Sequence, residues 1–518
     1  MGKYMTFDVG TTAIKTCIFS ESFQRIDAST DEYDLITENG YVELDPGSYW
    51  ENIAKAVRKI GERNDLSDVK SICITTQGET MIPITKEGEV LNRAVVWLDD
   101  RAGTQATEII AELDRMAGCK GREGERKGLD LLFEVTGVPE MNGLVPLAKY
   151  LWFKEEKPEV YKRAYKFLLL EDYLIYRLTG VFATEKSLLT STGWFDIRKD
   201  EVWGEILVNL GLDSEKLPKE MECGTIVSQI SSQSAEELGL PKTVKIITGA
   251  MDQVTAAIGG GGLKDNVATA TIGTAMVMTA AVSEEKAFSD PVVIYRGFRK
   301  GQYVLTPMTN TAGVVFKWLK DTVFAEDAKK AKTEGASIYD RLCEMAVKVP
   351  AGACGVTMIP YFQGSIRPKY VPDAKGLFFG LGLDTGREVL VRSCLEGIGF
   401  MIRENIEMLG TYGVNVKTLQ FFGGGSKNVV WNQIISDISQ VELKKPEEEE
   451  CASLGAAILA AVALGDRSSV DEAQKYNRIT RTITPDLAKK DAYDAAYCRY
   501  QEVFDTVKDL FSPDRGRE

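Results

Sequence analysis

The sequence predicts an α/β protein of two domains, and three observations carry that prediction. Short apolar runs of strand character alternate with segments of helical periodicity along most of the chain, the pattern of sheets layered with helices. With 518 residues, the chain exceeds the roughly 250 to 300 residues at which a single core stops growing. A strand, Gly-Thr turn, strand unit near the N-terminus also returns in weaker form near residue 270.

In "MTFDVGTTAIKTCIF" the apolar residues place strands at Tyr4 to Val9 and Ile14 to Phe19 around a Gly-Thr-Thr turn. Pro46 opens a helical stretch to Ile60, and strands follow at Val69 to Thr75 and Ala94 to Trp97. Helical patterns dominate Val145 to Leu178. In "VKIITGAMDQVTAAIGGGG" a strand, a small-residue turn and a helix run into Gly259 to Gly262, which sets the expected boundary between domains 1–259 and 260–518. "NVATATIGTAMVMTAAV" repeats the opening hairpin without its Asp. "LQFFGGGSKNVVWNQIISDIS" is a third strand, glycine turn and helix. "ECASLGAAILAAVALG" reads as a small-residue helix, and the acidic run Glu447 to Glu450 before it as a solvated loop or helix start.

Composition removes whole classes of function. A formal net charge of −14 repels phosphate backbones, so nucleic acid is not an expected partner. No apolar run approaches the roughly 20 residues that span a bilayer, and no basic segment leads into an apolar core and cleavage site. Nine cysteines are scattered singly from Cys17 through Cys119 to Cys498 with no C-x-x-C pair, which fits reduced thiols and a cytoplasmic protein. The chain has no histidine. Ser-His-Asp and Cys-His catalysis are therefore excluded, and acid–base work falls to carboxylates, lysine, cysteine or tyrosine.

Glycine turns with small neighbours expose backbone N–H groups that cradle phosphate oxygens. A carboxylate beside such a turn, Asp8 here, would repel bare phosphate; its presence makes sense where a divalent cation stands between the two. An isolated D-x-G-T is also an ordinary hairpin turn, and the G-x-x-x-x-G-K-[ST] pattern is absent. From local sequence alone, Asp252 reads as a helix N-cap after Gly249-Ala250.

The order of the motifs is specific. D-x-G-T-T near the start, G-A-x-D-Q mid-chain, then I-G-T, then G-G-G-S followed by W-x-Q, with "GLFFGLGLDTGREVLVRSCLEGIGF" at Gly376 to Phe400, resemble the FGGY carbohydrate kinase family over nearly the whole chain. The resemblance implies a two-domain actin/hexokinase-like (ribonuclease H-like) ATPase fold with an interdomain cleft, and transfer of the ATP γ-phosphoryl group to a hydroxyl of a small sugar or polyol. It implies ATP and Mg²⁺ as cofactors and leaves room for a homodimer. Position by position, Asp8 matches the metal-side carboxylate, and Thr11, Thr12 and Lys15 the rest of the first phosphate loop. Asp252 matches the catalytic base and Gln253 a substrate-contacting neighbour. Gly273 and Thr274 match the second phosphate loop, Gly313 a nucleotide-side glycine, and Gly424, Gly425 and Asn428 the adenosine site. Val389 stands where many relatives have histidine, outside the motifs matched to chemistry.

In this family the acceptor pocket is built mainly by the first domain, which points to Gln77, Glu79 and Thr80 in "TTQGETMIPI" and to Trp97 and Arg101 in "VVWLDDRA". Glycerol kinases carry arginine where this chain has Gly78, and xylulokinases commonly carry Met-His in that loop. Polar groups with one aromatic wall suit a polyhydroxylated ligand. A ketopentose such as xylulose or ribulose is the expected substrate, a polyol (glycerol, tetritol or pentitol) the alternative, and an actin-like ATP-binding regulatory protein the alternative of another class.

Overall fold

In the computed structural model, Lys3–Val9 pairs antiparallel with Ala13–Ser20, so that Asp8 lies opposite Lys15 across the Gly-Thr-Thr turn. The residues described are 2–118, 127–283, 288, 292–365, 369 and 371–511. They divide into two units. The first comprises Met1–Gly260, Val282–Leu305 and Glu450–Asn477; the second comprises Gly261–Ala281, Thr306–Glu449 and Arg478–Glu518. Two segments beyond residue 260 thus pack with the first unit, which a single cut in the sequence does not anticipate.

The first unit is built on a six-stranded sheet in the order Ile226–Gln229, Lys245–Ile247, Val69–Thr76, Lys3–Val9, Ala13–Ser20, Arg25–Glu32. Its three central strands from Lys245–Ile247 to Lys3–Val9 run parallel. Buried on both faces, they read as the near-continuous apolar runs expected of parallel strands. Helix Pro46–Gly61 has proline at its first turn and the Asp45 side chain accepting from Gly47 N, and it lays Tyr49, Ile53, Val57 and Ile60 on the core of this sheet.

The expected helical stretch at Val145 to Leu178 is interrupted. Helices Pro146–Glu156 and Pro158–Arg163 give way to a strand, Lys166–Leu169, before helix Leu170–Thr179. Phe167 to Leu169 pair with Met81 to Pro83, and a long-range partner overrides local helical propensity. The strand expected at Ala94 to Trp97 covers only Ala94–Val95.

Helix Asp252–Gly259 packs against helix Cys451–Ala463 within the same unit. Their backbones approach so closely that a Cβ on Gly455 would stand 1.9 Å from the Thr255 carbonyl oxygen, which accounts for the small residues of that helix.

In the second unit Val267–Ile272 pairs antiparallel with Met276–Val282 and parallel with Thr418–Phe422; the latter pairs parallel with Glu442–Pro446, which pairs antiparallel with Ile479–Ile483. A hairpin, two further parallel strands and an antiparallel edge is the plan of the first unit's sheet as well, so the faint sequence repeat is a repeat of topology. No described helix is long and apolar enough to cross a membrane. The described cysteines form no disulfide; Cys119 lies outside the described residues.

Candidate active site

The opening hairpin presents Asp8 beside Lys15, whose ammonium pairs with Glu450 at 2.5 Å. Burial pushes the Asp8 carboxyl up to about 6; Lys15 opposes the shift and Glu450 adds to it. Asp252 is the first residue of its helix; Met251 holds the N-cap position without a side-chain bond, so the N-cap role the local sequence suggested does not fall to Asp252. A helix N-terminus favours a carboxylate. Burial nevertheless pushes Asp252 up to about 7, with the charges of Asp8 and Glu79 raising it further, while hydrogen bonds from Gln253 backbone and side chain pull it down. Asp8, Asp252 and Glu79 therefore share one electrostatic neighbourhood in the first unit, although 244 positions separate the first two in the chain.

The Gln77 to Thr80 loop is joined to the hairpin by a run of hydrogen bonds. Trp97 Nε1 donates to Thr11 Oγ1 at 2.9 Å, Thr11 Oγ1 to Gln77 Oε1 at 3.1 Å, and Gln77 Nε2 to Thr80 Oγ1 at 3.2 Å. Thr80 Oγ1 also accepts from the Trp97 backbone N–H at 3.3 Å. Thr11 is thus bound to the Gln77 loop, while the exposed Thr12 gives its carbonyl to Tyr33 N. Glu79 holds a φ of 66°, the left-handed region a non-glycine residue occupies only when its surroundings enforce it. Its carboxyl is raised by burial, against the pull of Lys149 and a bond with Ser191.

Lys149 is fully buried and donates to the carbonyls of Val96 at 3.0 Å, Glu79 at 3.4 Å and Trp97 at 3.4 Å. Burial lowers it to about 8, though Glu79 and Asp99 act the other way. Arg101 is engaged elsewhere: it donates to both carboxylate oxygens of Asp99, pairs with Glu43 at 2.8 Å, and stacks on Tyr41 and Trp152.

Sequence reasoning missed Lys149, Ser191 and Tyr295. The buried Tyr295 phenol is pushed well above its usual range by burial and by Glu79 and Asp252, and next to it Arg296 ties its strand to Asp200 and Glu222 at 2.5 Å each. A lone lysine inside the apolar run "VPLAKYLWF" was the one available signal; Tyr295 had none.

In the second unit Gly273, Thr274, Gly313, Gly424, Gly425 and Asn428 line one pocket of ≈ 450 Å³, within the usual range for small-ligand sites. Thr274 O accepts from Ala312 N at 2.9 Å and Val314 N at 3.2 Å, strapping the Gly-Thr turn to the start of helix Gly313–Thr322. A Cβ on Gly313 would meet the Gly273 carbonyl oxygen at 2.3 Å. Asn428 caps helix Val429–Ser439 by accepting from Trp431 N at 3.1 Å and donates to Asp340 at 2.7 Å. Phe316, edge-on to Trp431, and Tyr339 form an aromatic wall.

This pocket fits a nucleoside, with an aromatic face for a base and backbone-lined glycine turns for phosphate oxygens. Among the described residues no cluster of three or more acidic or cysteine side chains could hold a metal by itself. A magnesium ion held through one carboxylate, phosphate oxygens and water asks for no such cage, and Asp8 suits that single role.

The domain models of the FGGY family of carbohydrate kinases match residues 3–259 (N-terminal domain) and 268–464 (C-terminal domain). The chain is 27% identical to the xylulose kinase of Bacillus subtilis (strain 168) over 508 residues, 97% of each chain. It is 26% identical to the gluconokinase of the same organism over 495 residues, 95% of this chain and 94% of that one. The solved structure of ligand-bound xylulose kinase from Lactobacillus acidophilus matches with a TM-score of 0.85 at 24% identity, covering 99% of this chain and 100% of the other.

Proposed function

Because the chain belongs to the FGGY family of carbohydrate kinases and is an ATP-dependent sugar kinase of actin/hexokinase-like fold, we propose that its acceptor is a neutral sugar, a ketopentose such as xylulose or ribulose, with Asp252 as the base. The actin-like regulatory alternative gives way to this family membership. One observation supports a neutral acceptor above all: the charge around Glu79 and Asp252. Both are half-buried carboxyls in one electrostatic neighbourhood, and the nearby cations are already bound, Lys149 by three carbonyls and Arg101 by Asp99 and Glu43. An aldonate such as gluconate would bring a carboxylate toward these acids, while the Lys149 ammonium, held on three carbonyls, and Arg101, held by Asp99 and Glu43, are not free to turn and pair with it. A hydroxylated neutral sugar meets acceptors for its O–H groups and the Trp97 face for its carbons. Position 78 is tight for any side chain, since a Cβ there would lie 3.1 Å from Met251 Cε and Ser191 Oγ and those side chains would have to shift.

Phosphoryl transfer calls for positioning and charge neutralisation more than covalent catalysis. Asp252, titrating near 7, takes the proton of the acceptor hydroxyl, because a base works best with a pKa near the operating pH. Gln253 steadies the ionised form through its two bonds to Asp252. In the second unit the Gly273-Thr274 turn, held in place by Gly313 N donating to Gly273 O at 3.0 Å, faces the phosphates, and Asn428 with the aromatic wall holds the nucleoside. Asp8 is the residue that would hold a Mg²⁺ ion arriving with the nucleotide, and such an ion would supply charge neutralisation on the transferring group.

The test is an initial-rate screen at equal concentrations of D- and L-ketopentoses, ketohexoses, gluconate, tetritols, pentitols and glycerol. A ketopentose is expected to lead in kcat/KM by at least roughly tenfold. Gluconate in front would overturn the charge argument; a polyol in front would move the acceptor class.

In Glu79→Ala the KM for sugar is expected to rise about tenfold or more, with discrimination among sugars blurred, because a site built around hydroxyl bonds loses its selectivity with them. The KM for ATP should stay within about twofold of wild type. Equal losses for both substrates would place Glu79 outside the acceptor pocket. Gly313→Ala is expected to do the reverse, raising the KM for ATP about tenfold through the forced displacement of the Gly273 turn. An unchanged KM for ATP would separate that turn from nucleotide binding.

A further inference from the structure

Behind the turn that delivers Asp252 lie two fully buried glutamates that the transfer step does not use, Glu171 and Glu185. Glu171 Oε1 accepts from Gly249 N at 3.0 Å, and its Oε2 is buried without a hydrogen-bond partner. Glu185 accepts from Ser187 N and Leu188 N at 2.6 Å each, from Ser187 Oγ at 2.9 Å and from Cys223 Sγ at 2.8 Å. Ser187 Oγ in turn accepts from Met251 N at 3.0 Å. Two backbone N–H groups of the turn, at Gly249 and Met251, are thus held by one acidic cluster. From the sheet side, Thr75 Oγ1 donates to Ala250 O at 2.7 Å and closes the frame.

We propose that Glu171 is a positioning residue for phosphoryl transfer: by accepting the Gly249 N–H from within a buried acid pair with Glu185, it fixes the turn that aims Asp252 at the acceptor hydroxyl. This rests on the reading of Asp252 as the base. Three observations favour it over a role in stability alone. Apolar side chains of similar volume commonly stabilise a core as well as buried ionisable groups do, so two carboxyls at this place call for a further reason. Both lines of contact, direct from Glu171 and relayed through Ser187, end on the same turn, the one preceding Asp252. Burial and the neighbouring Glu185 also push Glu171 well above the usual carboxylate range, while Glu185 with four donors is the better seat for a charge. A neutral acid holds the N–H without adding negative charge behind Asp252.

The test compares Glu171→Gln, Glu171→Leu and Ser187→Ala in the full-length enzyme. Rates are expressed per nucleotide-binding site, so that misfolded protein is not counted, and amide hydrogen exchange is followed over residues 248–255. Glu171→Gln, which keeps the acceptor and is neutral, is expected to hold kcat within about threefold. Glu171→Leu is expected to lower kcat roughly 10- to 100-fold, since small misplacements of catalytic groups cost that much, with both KM values within about twofold and faster exchange at the turn. Where the leucine variant does not fold, Ser187→Ala carries the test with a kcat loss of about 3- to 10-fold at unchanged KM.

The proposal is overturned if exchange rises in Glu171→Leu while kcat stays within threefold, if a folded Glu171→Gln falls as far as Glu171→Leu, or if Ser187→Ala keeps full kcat. An Asp252→Asn enzyme that retains its turnover overturns it through the premise instead. That outcome is distinct from an inactive Asp252→Asn beside an active Glu171→Leu, which would remove Glu171 alone.

Discussion

Asp252→Asn is expected to lower kcat by roughly 10² to 10⁴-fold, the usual worth of a positioned general base, while leaving ATP binding nearly intact. The substitution is isosteric and sits at the first residue of the helix, so it removes proton acceptance and little else. The pH behaviour supplies a second readout. With its carboxyl raised to about 7, Asp252 is ionised only above that value, so wild-type kcat/KM is expected to fall as pH drops below about 7. Stability runs in the opposite sense. A carboxyl whose folded pKa lies above its unfolded one favours folding most at low pH, and that contribution is lost as pH rises through about 7. Above that pH wild type holds a half-buried carboxylate in the field of Asp8, and the neutral Asn does not. The variant is therefore expected to melt higher than wild type at pH 8, in a thermal scan run beside the kinetic assay. A variant with most of its turnover would remove Asp252 from the role of base.

The second large effect is expected at Asp8. In Asp8→Ala, kcat should fall on the order of 10²-fold, the scale seen when one group that stabilises transition-state charge is removed, and the Mg²⁺ concentration for half-maximal rate should rise. Because Asp8 is the largest charge pushing Asp252 up, its removal is also expected to move the acid limb of the kcat/KM profile to lower pH. An unchanged Mg²⁺ requirement with an unchanged acid limb would reduce Asp8 to a turn residue.

Much of this was legible in the sequence because it is local. Asp8 faces Lys15 because a short turn between alternating strands fixes which residues oppose one another. Gly273-Thr274 and Gly424-Gly425 sit on turns between a strand and the next element, and glycine marks such turns. What escaped the sequence is what distant segments do to one another. "KFLL" at 166–169 lies among helical patterns, and only its pairing with Met81–Ile84 makes it a strand. Arg101 has the chemistry of a ligand-binding residue, and nothing in its neighbourhood tells that Glu43, nearly sixty positions earlier, takes its guanidinium. Lys149 bonds the Glu79 carbonyl and Tyr295 lies in the field of the Glu79 carboxyl, each from an element far from it in the chain, and no motif spacing encodes such a meeting.

The division of the chain bears on how the protein is made. The first unit is incomplete until Asn477 has been synthesised, because Val282–Leu305 and helix Cys451–Ala463 belong to it. At ribosomal rates of roughly 5 to 20 residues per second, its last piece follows Gly260 by on the order of ten to forty seconds. During that interval the nascent first half waits with the apolar face that will receive helix Cys451–Ala463 uncovered, on the helix of Asp252. A gene cut at the glycine run to express the halves separately would freeze this waiting state, giving an N-terminal fragment that seeks the missing helix in other chains. The same interval is when a holdase chaperone would have its target.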